Sequence, residues 1–399
     1  AEAQAGLLGA QPQADCAGSS PNAEEPAAFL PRYVPEYSQA ASTAEPDCIF
    51  LTGATGFFGA HLLHALLSRG VRRAYCLVRG NPQRLSEALS WYFGNGWTTG
   101  MEGRITALCG DITLEHMGLP EETYAAVCHE ISAVYHAAAD VRHYCADEGA
   151  FLENNITGTR TAIQLALDAQ AVLHHMSTVS VSGEYLTQLP SIKTEFSEQD
   201  FFMGQNWQEN TYVKSKMLAE AQVYSAMRER GLAAKVYRLG RLVGRASDGV
   251  FQRNASQNLT VLFLQAAGAL GALPAQLAGL TVDLTPVDWA AQAVAALCGA
   301  GQTAFHIMNP SPPVLGEVLT KLMPSLRILE SDEFDALAAE KRTQPGAPQS
   351  ISLLMDSLNL YRSHPTTITP VCALTGSAYQ AAGFSQQIPG AEKLAREIA

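Results

Sequence analysis

The segment that most constrains the fold runs from Ile49 to Gly59, with the sequence I-F-L-T-G-A-T-G-F-F-G. A short apolar run followed by three glycines at three-residue spacing predicts a buried strand, a tight turn and the start of a helix. Gly53, Gly56 and Gly59 remove side chains where a backbone turns sharply, approaches a diphosphate and packs a helix against a strand. The helix start would aim free N–H groups at the phosphates. We therefore expect a dinucleotide site here, and a glycine turn without a ligand is the alternative.

Apolar strand-like runs alternate with helical ones from Cys48 onward. The expected strands are Ile49 to Thr52, Ala74 to Val78, Ile105 to Cys109, Ala133 to His136 and Leu173 to Ser177. Because buried strands alternate with helices, the pattern predicts an α/β fold with a doubly wound, Rossmann-like parallel sheet covered on both faces. The ligand is expected at the open ends of the strands.

The chain has 399 residues, enough for more than one domain. Residues 47–300 are expected to form the dinucleotide-binding domain, with 245–285 contributing to its substrate side. Beyond that point the alternation fades, so residues 301–399 are interpreted as a smaller, mostly helical substrate-binding subdomain that covers the cofactor like a lid.

Residues 1–46 have the composition of a largely flexible linker, rich in Ala, Pro, Gln, Ser and Glu. They include a small apolar patch that either docks onto the next domain or is disordered. This patch consists of Phe29, Leu30, Tyr33, Val34 and Tyr37.

Charge and cysteine usage exclude several classes of partner. The net charge is 26 minus 38, or −12, which argues against binding to nucleic acid or to an anionic membrane. The 8 cysteines show no C-x-x-C pair and no Cys/His ligand spacing, so we expect no metal site and reduced thiols in the cytoplasm. The uncharged stretch Asn254 to Val282 is long enough to suggest a transmembrane helix, but Gln265, three glycines and Pro274 favour a buried or pocket-lining segment.

The second strand, A-Y-C-L-V-R-G, indicates which dinucleotide is bound. An NAD site commonly has an acidic residue about twenty positions after the glycines, where it binds the ribose 2′-hydroxyl. This chain has Arg79 there, with Arg84 near the next helix start. Arginine suits a 2′-phosphate, so we expect NADPH; an ordinary surface arginine is the alternative.

Later strand ends supply further candidates for the cofactor site. Asp111, followed by Ile112, either accepts a hydrogen bond from an adenine amino group or caps the next turn. The small residues Ala137, Ala138 and Ala139 would let a cofactor lie across the strand ends, or they mark a tight contact between a helix and a strand.

Asn155 precedes T-G-T at an expected helix start. It is interpreted as an asparagine that holds an active-site helix or a water molecule. Plain helix capping is an equal alternative.

A catalytic set follows from the order of three residues. Thr178 ends a strand, and Tyr212 and Lys216 lie four apart and hence on one face of a helix. A neighbouring ammonium favours the phenolate, so we expect a lowered pKa for the Tyr212 phenol and a usable proton donor or acceptor near neutrality. Thr178 can hydrogen-bond the same carbonyl oxygen.

With these residues the chain resembles the extended short-chain dehydrogenase/reductase superfamily over about residues 48 to 310. More narrowly it is similar to the thioester reductases, which are terminal reductase domains of nonribosomal peptide synthetases, and to carboxylic acid reductases. The motifs behind the likeness are G-A-T-G-F-F-G-A-H-L-L, C-L-V-R-G, Y-V-K-S-K-M-L-A-E, Y-R-L-G-R-L-V-G and D-L-T-P-V-D-W-A-A.

The resemblance implies a role for each matching residue. Thr178, Tyr212 and Lys216 would form the catalytic set, with Lys216 also reaching the nicotinamide ribose. Arg79 and Arg84 would bind the 2′-phosphate. Leu239, where the family often has Pro, would lie against the nicotinamide. The residues implied at the diphosphate are Gly53, Thr55, Gly56, Phe57, Phe58 and Gly59, where the family often has Leu at Phe58.

The resemblance also implies a reaction. A carrier protein would present an acyl or peptidyl chain as a phosphopantetheine thioester, and NADPH would reduce it to an aldehyde and, in a second round, to an alcohol. Rival hypotheses are a fatty acyl-CoA reductase, a nucleotide-sugar epimerase or dehydratase, and a non-catalytic NADP-binding protein. The chain is expected to be one domain of a larger assembly and monomeric when excised.

The aromatic residues Phe196, Phe201, Phe202 and Trp207 lie in the loop Glu184 to Asn210. They are candidates for part of the acyl channel or for the surface that docks the carrier. A satellite core is an equal alternative.

Overall fold

The computed structural model describes residues 30–36, 45–141, 148–187, 193–255, 258–363 and 366–388. Within them, seven strands form one parallel sheet: β1 (Cys48–Thr52), β2 (Arg73–Val78), β3 (Ile105–Cys109), β4 (Ala133–His136), β5 (Val172–Thr178), β7 (Ala234–Leu239) and β11 (Ala304–Ile307). Their order across the sheet is β11-β7-β5-β4-β1-β2-β3. The order reverses between β1 and β4. Open parallel sheets bind ligands in the crevice at the carboxyl ends of the strands at such a point.

Helices cover both faces of the sheet because its strands are apolar along their whole length. Every residue of β1 and β4 is buried. One face packs against α1 (Phe57–Ser68), α2 (Gln83–Phe93) and α9 (Val287–Ala296). The other packs against α4 (Glu121–Glu130), α5 (Glu148–Asp168) and α6 (Thr211–Arg230). The predicted doubly wound parallel sheet is confirmed.

Further helices and strand pairs complete the described part of the chain. The helices are α3 (Asn95–Gly100), α7 (Leu259–Leu270), α8 (Ala275–Ala278), α10 (Leu315–Leu322), α11 (Ser331–Arg342), α12 (Gln349–Ser363) and α13 (Ala373–Ala381), with 3₁₀ turns at Glu115–Gly118 and Val179–Ser182. Three parallel strand pairs lie outside the main sheet: β6 (Thr194–Phe196) with β13 (Ile368–Pro370), β8 (Leu242–Val243) with β10 (Thr285–Pro286), and β9 (Ala272–Pro274) with β12 (Arg327–Leu329).

A second hydrophobic core lies away from the main sheet. It joins α7, β9, α10, α11 and α12 through residues such as Leu273, Leu319 and Phe334. The uncharged stretch Asn254 to Val282 therefore supplies buried core residues, among them Ala266 and Ala267. In the described part of the chain, no helix has both the length and the apolar character needed to cross a membrane.

Two segments after residue 300 pack with the main sheet. Strand β11 forms its edge beside β7, and α13 adds Ala378 and Tyr379 to the core on the α1 face. The sheet thus extends beyond the boundary expected at residue 300, while α10, α11 and α12 belong to the second core. The division into two domains stays a prediction.

Part of the expected linker is docked. Leu30 is buried, and Val34 packs against the same core. The Val34 amide donates to the Gln199 carbonyl at 2.9 Å, and the Phe201 amide donates to the Arg32 carbonyl at 3.0 Å. Phe29 and Tyr37 of the same patch lie outside the described residues, as do residues 1–29 and 37–44.

Candidate active site

The turn after β1 fits against the end of β4 because glycine occupies the position of closest approach. Gly53 has φ +80°, and a Cβ there would lie 2.6 Å from the Ala138 nitrogen. A Cβ at Gly59 would lie 2.1 Å from the Gly53 carbonyl oxygen. Both distances are too short for real atoms, so the turn, the helix start and the Ala138 backbone form one tightly packed unit.

Helix α1 presents an uncapped N-terminus in the crevice. Gly56 is its N-cap residue, and among the described residues no side chain caps it. The first backbone hydrogen bond of the helix runs from the Ala60 amide to the Gly56 carbonyl at 3.0 Å. The amides of Phe57, Phe58 and Gly59 have no earlier helical carbonyl to bind, and Gly56 is exposed beside them. The geometry suits an anion, as the expected diphosphate site requires.

The alanine run borders the same crevice. The Ala138 amide donates to Thr52 Oγ1 at 3.1 Å, which joins the end of β4 to the end of β1. Ala137 and Ala139 are half-buried beside it. His136, which precedes them, is buried, shares a hydrogen bond with Thr52 Oγ1 at 2.9 Å, and has its pKa lowered to about 3, mainly by burial and also by Lys216. It is a neutral core histidine.

Arg79 and Arg84 lie together at the carboxyl end of β2. Both side chains are exposed, and Arg84 Nη1 donates to the Arg79 carbonyl at 2.9 Å. In the described ranges neither guanidinium forms an ion pair. Both are thus available to an anionic group beyond the β2 edge of the crevice.

Asp111 caps its own turn, as one of the two alternatives expected. Its Oδ1 accepts from the Thr113 amide at 2.9 Å and from Thr113 Oγ1 at 2.8 Å. Ile112 is buried against α5, where a Cβ on Gly158 would lie 2.5 Å from the Ile112 Cδ1 atom. The loop after β3 is therefore held rigidly next to the crevice.

Asn155 does not lie at a helix start, contrary to the prediction. Helix α5 includes Glu148, and Asn155 is buried two turns into it. Its Oδ1 accepts from the Asp140 amide at 2.7 Å, and its Nδ2 donates to the Asp140 carbonyl and to Ser215 Oγ, both at 2.9 Å. It thereby ties the segment after β4 to α6. The capping alternative is wrong because the helix begins earlier than the T-G-T pattern suggested.

Thr178, Tyr212 and Lys216 come together at the carboxyl end of β5. Thr178 is the last residue of β5, and Tyr212 lies in the first turn of α6. The Thr178 hydroxyl is close enough to the Tyr212 phenol to lower its pKa, and it also donates to Ser180 Oγ at 3.2 Å. Lys216, one turn further along α6, donates from Nζ to the Met176 carbonyl of β5 at 2.8 Å. Two hydroxyls and an ammonium thus lie beside one strand end.

The predicted pKa shift of Tyr212 is wrong in direction. Desolvation raises the pKa of the phenol to about 12, and the hydrogen bond with Thr178 opposes this only in part. The ammonium of Lys216 is bound to a backbone carbonyl, and burial lowers its own pKa to about 8, an effect that Glu220 partly offsets. Tyr212 is therefore a protonated phenol at neutral pH and can donate a proton, whereas Lys216 is mostly charged.

Leu239 is the neighbour of Thr178 across the sheet. The two residues are paired in the register of β5 and β7, and Leu239 is nearly buried. The backbone beyond Leu239 is held by Asp283, whose Oδ2 accepts from the Arg241 amide at 2.8 Å and whose Oδ1 accepts from Thr285 Oγ1 at 2.7 Å. A Cβ on Gly240 would lie 1.9 Å from Asp283 Oδ2. The D-L-T-P-V-D-W motif supported the family resemblance. The sequence did not predict that its first residue, Asp283, would hold this segment of backbone.

The aromatic loop is core rather than channel. Phe196, Phe201 and Trp207 are buried in the main core, and Phe202 packs against it partly buried. The structure therefore favours the core alternative for these residues, and the core they join is that of the main sheet rather than a satellite.

The fold is that of an NAD(P)-dependent oxidoreductase of the extended short-chain dehydrogenase/reductase superfamily. The model of the family described as "Male sterility protein" matches residues 51–294, more than half of the chain, so the chain belongs to that family.

Individual relatives come from peptide synthetases. A component of the linear gramicidin synthase of Brevibacillus parabrevis is 26% identical over 297 residues, which is 72% of this chain and 6% of that protein. The chain thus spans a small fraction of the length of this relative. The solved terminal R domain from the myxalamid PKS-NRPS biosynthetic pathway is 29% identical with a TM-score of 0.74, covering 89% of this chain and 90% of that one. A thiolation-reductase di-domain from an archaeal nonribosomal peptide synthetase is 26% identical with a TM-score of 0.74, covering 88% and 74%.

Proposed function

We propose that this chain reduces a thioester carried on the phosphopantetheine arm of a carrier protein, with NADPH as the reductant, and releases the product as an aldehyde. The observation that supports this most directly is the set of Thr178, Tyr212 and Lys216 beside the dinucleotide crevice. The similarity to terminal reductase domains of peptide synthetases indicates which acyl donor to expect.

The crevice fits NADPH in three respects. Gly53 and Gly59 leave room for close packing where a diphosphate would approach, and the free amides of α1 would bind its oxygens. The small side chains of Ala138 and its neighbours would leave space for the cofactor across the strand ends. Arg79 and Arg84 would hold the 2′-phosphate, which NADH lacks. When bound, the cofactor supplies the hydride.

Tyr212 and Thr178 would act on the carbonyl oxygen of the thioester. Both hydroxyls lie at the same strand end, so they can donate hydrogen bonds to the oxygen as negative charge develops on it. Tyr212 is protonated at neutral pH and can then give up its proton to that oxygen. Lys216 would hold the ribose of the cofactor and stabilise the charge left on the phenol.

In the net reaction, the C–S bond of the thioester breaks and a C–H bond forms at the same carbon. The products are an aldehyde, the free thiol of the arm and NADP⁺, with one proton taken up. A second round on the aldehyde in the same site would give the primary alcohol. We place this reaction in the cytoplasm, because the scattered cysteines suit a reducing compartment.

The test is to supply a carrier protein loaded with an acyl thioester together with NADPH and to identify the products by mass spectrometry. We expect an aldehyde or alcohol, free carrier thiol and stoichiometric NADPH oxidation. The same acyl chain on coenzyme A is the matched comparison. Faster turnover of the acyl-CoA would support a fatty acyl-CoA reductase instead, and no reduction of either would reject the proposal.

A further inference from the structure

A buried ion pair lies directly behind the catalytic set. Glu220 and Arg238 have side chains that are 0% exposed, and Glu220 Oε1 accepts from Arg238 Nη2 at 2.5 Å and from Arg238 Nε at 2.9 Å. Removing two charges from water is unfavourable, and a pair of apolar side chains would often serve stability equally well. The pair therefore calls for a role beyond filling the core.

The second oxygen of the same carboxylate reaches β5. Ser177 Oγ donates to Glu220 Oε2 at 2.7 Å, and both residues are buried. Ser177 immediately precedes Thr178 on the strand. Ser177 is also paired with Arg238 in the register of β5 and β7, so two neighbouring strands bind one carboxylate.

Glu220 sits one helical turn beyond Lys216 on α6. It therefore joins the three elements that hold the site: α6 with Tyr212 and Lys216, β5 with Thr178, and β7 with Leu239. A shift of α6 along β5 would change the distance between the Tyr212 and Thr178 hydroxyls.

Arg238 also makes contacts with residues other than Glu220. Its Nη1 donates to His306 Nε2 at 3.1 Å, and the His306 Nδ1 atom donates to the Val371 carbonyl at 2.6 Å. The guanidinium also lies 4.9 Å from the centre of the Phe196 ring. With its orientation fixed in this way, Arg238 presents Nε and Nη2 to one oxygen of Glu220 and leaves the other for Ser177.

We propose that Glu220 is a positioning residue for catalysis, which sets α6 against β5 through Ser177 so that the Thr178 and Tyr212 hydroxyls meet at one oxygen. The inference rests on the proposed catalytic roles of Thr178 and Tyr212. Neither Glu220 nor Ser177 needs to touch the substrate or the cofactor.

The chain provides a matched pair of variants to test this. Ser177 and Tyr224 each donate one hydroxyl to the Glu220 carboxylate, Tyr224 to Oε1 at 2.6 Å. Tyr224 lies on α6 itself, so its hydrogen bond to Glu220 stays within one helix, although its hydroxyl also accepts from Arg238 Nη2 at 3.5 Å. The bond from Ser177 crosses to β5. Ser177→Ala removes the hydrogen bond from β5 to Glu220 and leaves the bond between Lys216 and the Met176 carbonyl, whereas Tyr224→Phe removes a hydroxyl from the same carboxylate and keeps the bond to β5.

We expect Ser177→Ala to lower kcat by about tenfold, with KM for the carrier-bound thioester and Kd for NADPH changed by less than about twofold. Tyr224→Phe should keep kcat within about twofold of the wild type. Ser177→Thr, which restores a hydroxyl, should recover most of the lost rate. Melting temperatures of all variants show whether the folded fraction accounts for any loss.

Equal kcat values for Ser177→Ala and Tyr224→Phe would overturn the positioning role, as would a loss in Ser177→Ala that Ser177→Thr does not recover. These outcomes are distinct from failure of the proposed function. In that case the wild type would not reduce the thioester, or Tyr212→Phe would be as active as the wild type.

Discussion

The two halves of the active site are built in opposite ways. The crevice between β1 and β4 is shaped by missing side chains, with Gly53 and Gly59 packed against backbone atoms and the free amides of α1 exposed. The catalytic end, at β5, α6 and β7, is shaped by side chains, with hydroxyls and charges buried around Thr178, Lys216 and Glu220. Under the proposed function, cofactor binding would depend mainly on backbone shape, whereas the chemistry would depend on a hydrogen-bonded network. Substitutions in one half should leave the function of the other half largely intact.

Tyr212→Phe should have the largest effect. Loss of the proton donor is expected to lower kcat for thioester reduction by about a thousandfold, within the range for general acids. The Kd for NADPH, measured by fluorescence titration, should change by less than about twofold, because the crevice does not depend on the phenol. Retained turnover would show that the proton comes from another group. A large loss of NADPH affinity would show that the two halves of the site do not act independently.

Gly53→Ala should have the next largest effect, and it should fall on binding. The new Cβ would meet backbone atoms of Ala137 and Ala138 within 3 Å, at a φ of +80° that alanine disfavours. We expect an affinity for NADPH that is lower by about a hundredfold, and a loss of stability of about 1–2 kcal/mol from the backbone alone.

Gly231→Ala is the matched control for that substitution. Gly231 has φ +68° and nothing within 4 Å of an added Cβ. The Gly231→Ala variant should lose a similar free energy of unfolding and should bind NADPH with the affinity of the wild type. If both variants bound NADPH equally well, close packing at Gly53 would not be what shapes the crevice.

Arg79→Ala should weaken NADPH binding by about tenfold or more while leaving NADH nearly unchanged, since a charged hydrogen bond to the 2′-phosphate is lost. Parallel titrations with the two cofactors measure this. Arg72→Ala is the control, because Arg72 is paired with Asp47 at the other end of β2. An equal loss for NADPH and NADH would mean that Arg79 does not bind the phosphate.

The smallest effect concerns pH. Burial lowers the pKa of Lys216 to about 8 from its ordinary 10.5, so kcat/KM should be halved near pH 8 and fall about tenfold per pH unit above it. The unfolded chain binds more protons than the folded one between pH 8 and 10.5, so this group makes the free energy of unfolding rise over the same interval. Rate profiles and thermal melts at matched pH values would separate the two trends. A flat rate up to pH 10 would mean that the ammonium is not required.

The same contrast explains what could be predicted from the sequence. The glycine turn is local, so Gly53, Gly56 and Gly59 indicated a dinucleotide crevice, and the alternation of apolar strands with helices indicated the doubly wound sheet. Tyr212 and Lys216 were recognisable because residues four apart share a helix face. Their assigned roles stay predictions until the variants above are measured.

The network behind these residues could not be predicted because it joins distant parts of the chain. Ser177 and Glu220 are 43 residues apart, and only the packing of α6 on β5 brings them together. The direction of the Tyr212 pKa shift was wrong for the same reason, since desolvation depends on tertiary structure. Asn155 was misplaced because its partners, Asp140 and Ser215, lie on other segments.

The docked segment at residues 30–36 affects how a partner could be tethered. Its hydrogen bonds to Gln199 and Phe201, and a further one from Thr303 Oγ1 to the Pro35 carbonyl, hold it to the surface of the main domain. For a carrier joined on the N-terminal side, as the proposed function allows, the docked residues 30–36 would add nothing to the reach of the tether. Since the local concentration of a tethered arm depends on linker length, loosening this segment would change how often the arm visits the site without altering the site itself.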